Sequence, residues 1–153
     1  MNIDYMREMG YYNSLINDNS LPLEERADAF IDRAELKIDN DDLPGALQDL
    51  NMAICMVPDK YSAYFHRAHV KSELGDTDGA LKDFSTAIEI EPDNELAYGL
   101  RATFKSEMGD YEGAMPDYDE ALRIDPSSEM LYVARARAHK ELGNWERALS
   151  DFS

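Results

Sequence analysis

The chain has 153 residues, 44% of them hydrophobic, and sets 32 acidic against 15 basic side chains for a net charge of −17. That apolar content is enough to fold, while so acidic a surface repels nucleic-acid backbones and anionic membranes and excludes both as main partners. The sequence opens on no basic region followed by an apolar run, and nowhere do eighteen apolar residues stand together. Neither a signal peptide nor a membrane span is predicted, and the expected location is cytoplasmic.

Residues 1–26 read as an N-terminal capping extension: a short amphipathic helix with Ile3, Met6, Leu15 and Ile16, a polar turn, then Pro22 opening a longer helix. An alternative gives Tyr5, Tyr11 and Tyr12 a role in contacting a partner. From Ala27 onward the chain keeps a strict period of 34 residues, dividing 27–153 into repeats 27–60, 61–94, 95–128 and a partial fourth, 129–153. Residues 1–26 stand outside it, because Tyr12 and Asn19 occupy the places where an earlier repeat would need small residues.

Each repeat reads as helix, turn, helix. In the first helix a large residue (Phe30, Tyr64, Tyr98, Tyr132) is followed four places on by alanine (Ala34, Ala68, Ala102, Ala136), which puts both on one face. The turns "DNDD", "LGDT", "MGDY" and "LGNW" supply a residue able to take the left-handed conformation. Asp42, Asp76, Asp110 and Asn144 are the expected N-caps of the second helices. Those helices carry Ala46, Ala80, Ala114 and Ala148, the bulky Leu50, Phe84, Tyr118 and Phe152, and Ala53, Ala87 and Ala121. Pro58, Pro92 and Pro126 then stop them. Gly113 and Pro116 early in the third repeat's second helix predict a bend or a weakened first turn, and Cys55, the sole cysteine, is expected to fill a small apolar space.

Two charged residues keep phase with this skeleton: Arg33, Arg67, Arg101 and Arg135 in the first helices, and Asp49, Asp83, Asp117 and Asp151 in the second. The favoured reading is a ladder of ion pairs between helices that fixes repeat register. The competing one turns the arginines toward a ligand.

The pattern as a whole, with a large residue at place 4, small ones at 8, 20 and 27, a bulky one at 24 and proline at 32, resembles the tetratricopeptide repeat. It departs from the common form in placing arginine at place 7, and Lys37, Lys71, Lys105 and His139 at place 11. The resemblance implies an all-α fold, a right-handed superhelical solenoid of antiparallel helix pairs, and a non-catalytic scaffold that mediates protein-protein interaction through a concave groove. In such proteins places 2, 5, 6, 9, 12 and 13 of each first helix line the groove, which here assigns Asp28, Ile31, Asp32 and Glu35, then Phe65, His66 and His69, then Leu100 and Thr103, then Val133, Arg137 and Lys140. The stripe is acidic at one end, apolar in the middle and partly basic at the other. Members that dock chaperone tails hold a terminal carboxylate with lysine and asparagine in places where this chain has Ile31, Glu35 and His66, so that partner is not expected.

The expected partner is a protein or peptide with basic and apolar character. The whole −17 lies before Glu129, since residues 129–153 carry four acids and four bases. His66, His69 and Glu73 share a helical face with the spacing i, i+3, i+7, near Asp32 and Glu35, which makes a metal site conceivable, but the signal is weak and no metal or cofactor is assigned. No phosphate loop, nucleophile elbow or cysteine pair appears, so no enzyme is expected. The alternative is a recruitment or oligomerisation arm of a larger enzyme or sensor with its active domain beyond residue 153. The partial fourth repeat leaves an uncapped end through which homo-association is conceivable.

Overall fold

A computed structural model describes residues 3–151; Phe152 and the Ile3 side chain, both expected to pack, lie outside the described part. The described residues form nine helices and no strand: α1 (Ile3–Asn17), α2 (Leu23–Ile38), α3 (Leu43–Met56), α4 (Tyr61–Glu73), α5 (Thr77–Ile90), α6 (Glu95–Glu107), α7 (Tyr111–Ile124), α8 (Glu129–Glu141) and α9 (Trp145–Asp151). None is long and apolar enough to cross a membrane. The chain divides into two compact units, the first ending at Ile90 and the second beginning at Glu91.

In both units the hairpins α2/α3, α4/α5, α6/α7 and α8/α9 form for the same local reasons. The first helix of each ends in a left-handed residue, Asp41, Gly75, Gly109 or Gly143, with φ of 61°, 79°, 82° and 73°. The next amide then reaches back to the helix: Asp42, Asp76, Asp110 and Asn144 donate to the carbonyls of Lys37, Lys71, Lys105 and His139 at 2.8–2.9 Å. Asp42, Asp76 and Asp110 also accept from Gly45, Gly79 and Gly113 at 2.9–3.1 Å, capping α3, α5 and α7. A β-carbon on any of these glycines would fall on the capping carboxylate, so the cap itself requires glycine there.

The first unit has one core. Ala34, Ala46, Leu50, Ala53 and Ala63 are fully buried, and Phe30 and Ile16 join them. Ile16 brings α1 against α2, with Tyr12 and Leu15 half-buried beside it. In the second unit Ala102, Ala114, Tyr118, Ala121, Leu122, Leu131 and Ala138 play the same part. Small residues at matching places let paired helices approach, while Leu50 and Tyr118 fill the space between successive pairs.

One expectation is corrected. Cys55 is exposed, because the buried stripe of α3 runs through Ala46, Leu50 and Ala53 and leaves position 55 on the far side. Pro116 does not interrupt α7: Asp110 caps its start, the Ala114 amide donates to the Asp110 carbonyl at 3.1 Å, and the helix continues to Ile124. The carbonyl left without a donor belongs to exposed Glu112, where water can serve it.

Candidate functional site

The four phased arginines are structural. Each guanidinium grips its aspartate through Nε and Nη2 at 2.5–2.9 Å: Arg33 with Asp49, Arg67 with Asp83, Arg101 with Asp117, Arg135 with Asp151. Lys37, Lys71 and Lys105, one helical turn beyond each arginine, add a second cation to Asp49, Asp83 and Asp117 at 2.7–2.8 Å. In the fourth repeat His139 takes that place. It is buried, and its Nδ1 meets no hydrogen-bond partner among the described residues.

These groups turn inward, and the groove places lie on the opposite faces of the first helices. In the first unit this face, on α2 and α4, is polar and largely self-satisfied. Lys60 Nζ lies 2.6 Å from Asp28, and His66 Nε2 lies 2.8 Å from Glu35. Asp32 has no such partner among the described residues. Burial, then the neighbouring Glu35 and Asp28, raise its pKa, against smaller opposing effects of His66 and Lys60. Burial lowers that of His66, with His69 acting in the same sense and Glu35 and Asp32 opposing. Tyr12 of α1 borders the same acids and is raised by burial, then by Asp32. Phe65 stands half-buried between the rings of Tyr61 and His66, with centroids 5.5 and 5.3 Å away.

Ile31, placed in the groove by its repeat position, is only 4% exposed and belongs to the core, where it offers a ligand almost no area. The trio His66, His69 and Glu73 does not converge. Among the described residues no three His, Cys, Asp or Glu side chains stand so as to hold a metal ion, and His66 is taken by Glu35.

The second unit's face, on α6 and α8, is different in kind. A cleft of about 750 Å³ runs between the two helices, lined by Leu96, Leu100, Met130, Val133 and Ala134, with Thr103 and Arg137 at its far side and Glu95 and Glu129 at the near one. Leu96 and Met130 are 49% and 69% exposed, a large apolar display for side chains on packed helices. Gly99 forms part of the floor, and a β-carbon there would meet the tip of the Leu131 side chain, so glycine leaves that side chain its place against α6. The Thr103 hydroxyl donates to the Gly99 carbonyl at 2.9 Å and is not free for a ligand. Arg137 and Lys140 are exposed on α8.

Sequence reading missed Lys60, which borders the first face from outside the groove places, and Leu131, which shapes the second; Tyr12, weighed there as a partner contact, borders the first face as well. The signal for Leu131 was the unusual Gly99 opposite it.

Helical hairpins in register, with a repeated ion-pair seam inside and two lining faces outside, define an α-helical repeat protein. Residues 61–94 and 96–128 match the family model for the tetratricopeptide repeat. The crystal structure of MamA superposes with a TM-score of 0.85 at 16% identity, over 99% of this chain and 91% of that one. TTC0263, a thermophilic protein of the same repeat class from Thermus thermophilus, gives 0.76 at 15% identity, over 97% and 79%. The corresponding domain of Arabidopsis OM64 gives 0.71 at 24% identity, over 78% and 98%. No curated protein sequence matches the chain. Two of its repeats are therefore tetratricopeptide repeats, and the described residues have the fold of such proteins.

Proposed function

We propose that this protein is a non-catalytic interaction scaffold that binds a segment of another protein on the faces formed by the first helices of its repeats. The observation that carries this reading is the second unit's cleft, where Leu96, Leu100 and Met130 stay exposed although the helices bearing them are packed on their other sides. Exposed apolar side chains gathered in a concavity gain from being covered, and a partner's side chains are what can cover them. In the first unit Phe65 packs on His66, which pairs with Glu35 near Asp32, and an aromatic ring next to acids suits a basic residue of the partner. Residues 1–26 act as the cap of the first repeat, since α1 covers α2 through Ile16, Tyr12 and Leu15.

Photo-crosslinking tests the reading. A benzophenone amino acid at position 100 should capture a partner that the same group at position 112, exposed on α7, does not. The purified partner should then bind the wild type and lose about tenfold or more in affinity for Leu100→Asp, a buried apolar anchor being worth at least that. Equal capture from both positions would place binding elsewhere.

A further inference from the structure

The charges around the second unit's cleft are sorted in a way its architecture does not need. Arg101, Lys105, Arg123 and Arg135 each hold a carboxylate of their own unit. Arg137 and Lys140 hold none among the described residues, although the chain has twice as many acids as bases. The two are three residues apart on α8, so they share one side of the helix. Arg137 lines the cleft directly. At the opposite lip Glu95 and Glu129 are likewise without a cation among the described residues.

We propose, building on the interaction reading above, that this cleft takes an internal, extended segment of a partner protein bearing a pair of aliphatic side chains and, a few residues further on, an acidic one. The aliphatic pair covers Leu96, Leu100 and Met130. The acidic side chain meets the Arg137 guanidinium, with Lys140 one turn beyond. From Met130 to Arg137 the helix rises about 10 Å, and an extended chain advances about 3.3 Å per residue, so the acid stands roughly three residues past the pair. Glu95 and Glu129 repel an acid at the other end and so fix the direction in which the segment lies. The partner's acidic residue is recognised against the protein's own overall charge, which makes the contact local: among the described residues that line the cleft, Arg137 is the unpaired cation, with Lys140 beside it on α8.

The test uses random twelve-residue sequences displayed on phage and selected on three immobilised proteins: wild type, the charge reversal Arg137→Glu with Lys140→Glu, and the blocked cleft Leu100→Asp with Met130→Asp. All four altered side chains are exposed, and unchanged circular dichroism melting confirms that the variants fold. Wild type should enrich two aliphatic residues with Asp or Glu about three positions on. Charge reversal should keep the aliphatic pair and exchange the acid for Lys or Arg, and the best wild-type sequence, as an acetylated and amidated peptide, should bind the reversed protein about tenfold more weakly. Aliphatic enrichment without an acidic preference would overturn this inference and leave the scaffold reading standing. Enrichment that survives in the blocked cleft, or none above a bare surface, would overturn both.

Discussion

Asp83 and Asp32 lie in one unit and answer opposite needs. Asp83 sits in the seam between α4 and α5, is 2% exposed, and is held by Arg67 and Lys71 together. Asp32 sits on the outer face of α2 with no cation of its own among the described residues, because Lys60 goes to Asp28 and His66 to Glu35. In the seam every carboxylate is met by a cation, in three repeats by two, while the outer faces leave some acids without one among the described residues. The same division recurs in the second unit, where Asp117 takes two cations while Arg137 and Lys140 take no acid among the described residues. Internal pairing is complete for the acids of the seam and partial for the charges of the outer faces.

That division is broken most severely by Asp83→Leu, which strands two cations in a buried seam. It should cost about 3 kcal/mol or more, read as a lowered denaturation midpoint. Arg67→Leu should cost clearly less, about 1–2 kcal/mol, since Lys71 still holds the aspartate. Equal and negligible shifts for the two would show the seam to be idle.

The fourth repeat sharpens the comparison. Asp151 is held by Arg135, and buried His139 stands where the other repeats have lysine. His139→Lys should restore the second cation and raise stability by about 1 kcal/mol in thermal unfolding. A loss instead would mean that the site around α9 cannot seat the longer chain.

On the outer faces stability should barely respond. Arg137→Glu with Lys140→Glu should stay within about 0.5 kcal/mol of wild type while changing what is bound. Asp32→Asn should raise the melting temperature slightly at neutral pH. The folded-state pKa of Asp32 is raised, so its ionised form is disfavoured on folding. That penalty is present above the raised pKa and disappears as pH falls through it. The variant's advantage should therefore shrink in acid, and a gain independent of pH would assign it to another cause.

Much of this architecture is legible in the sequence because each repeat fixes itself locally. The helix boundaries, the left-handed turns, the capping aspartates and the Arg–Asp seam all follow from residues within about 16 positions of one another. Lys71 was visible only as a departure at place 11; that it shares its aspartate with Arg67 follows from the two lying one turn apart on α4. The role of α1 was harder to read. Arg67 and Arg135 each reach back 16 residues, to Asn51 and Asp119 of the preceding helix, whereas Arg33 reaches back 20, to Asn13. α1 therefore packs on α2 as α3 packs on α4, displaced by four residues because α2 begins one turn early, at Leu23. A search at a fixed period of 34 passes over it. The groove places were legible as positions, but their exposure was not: Ile31 is drawn into the core, and the room left by Gly99 is taken up by the Leu131 side chain.

The reach of these arginines bears on how a unit comes apart. Nη1 of Arg67 holds Asn51 on α3 while its other two nitrogens hold Asp83 on α5, so one side chain spans three consecutive helices. Arg33 does the same for α1, α2 and α3, and Arg135 for α7, α8 and α9. In a linear array each repeat ordinarily melts under its own stability plus a nearest-neighbour term. A guanidinium shared across a hairpin and its predecessor belongs to that second term, so freeing one hairpin breaks bonds in the next. Such sharing favours unfolding by whole units over fraying helix by helix, and the amides of α2 and α4 should exchange with solvent at nearly one common rate.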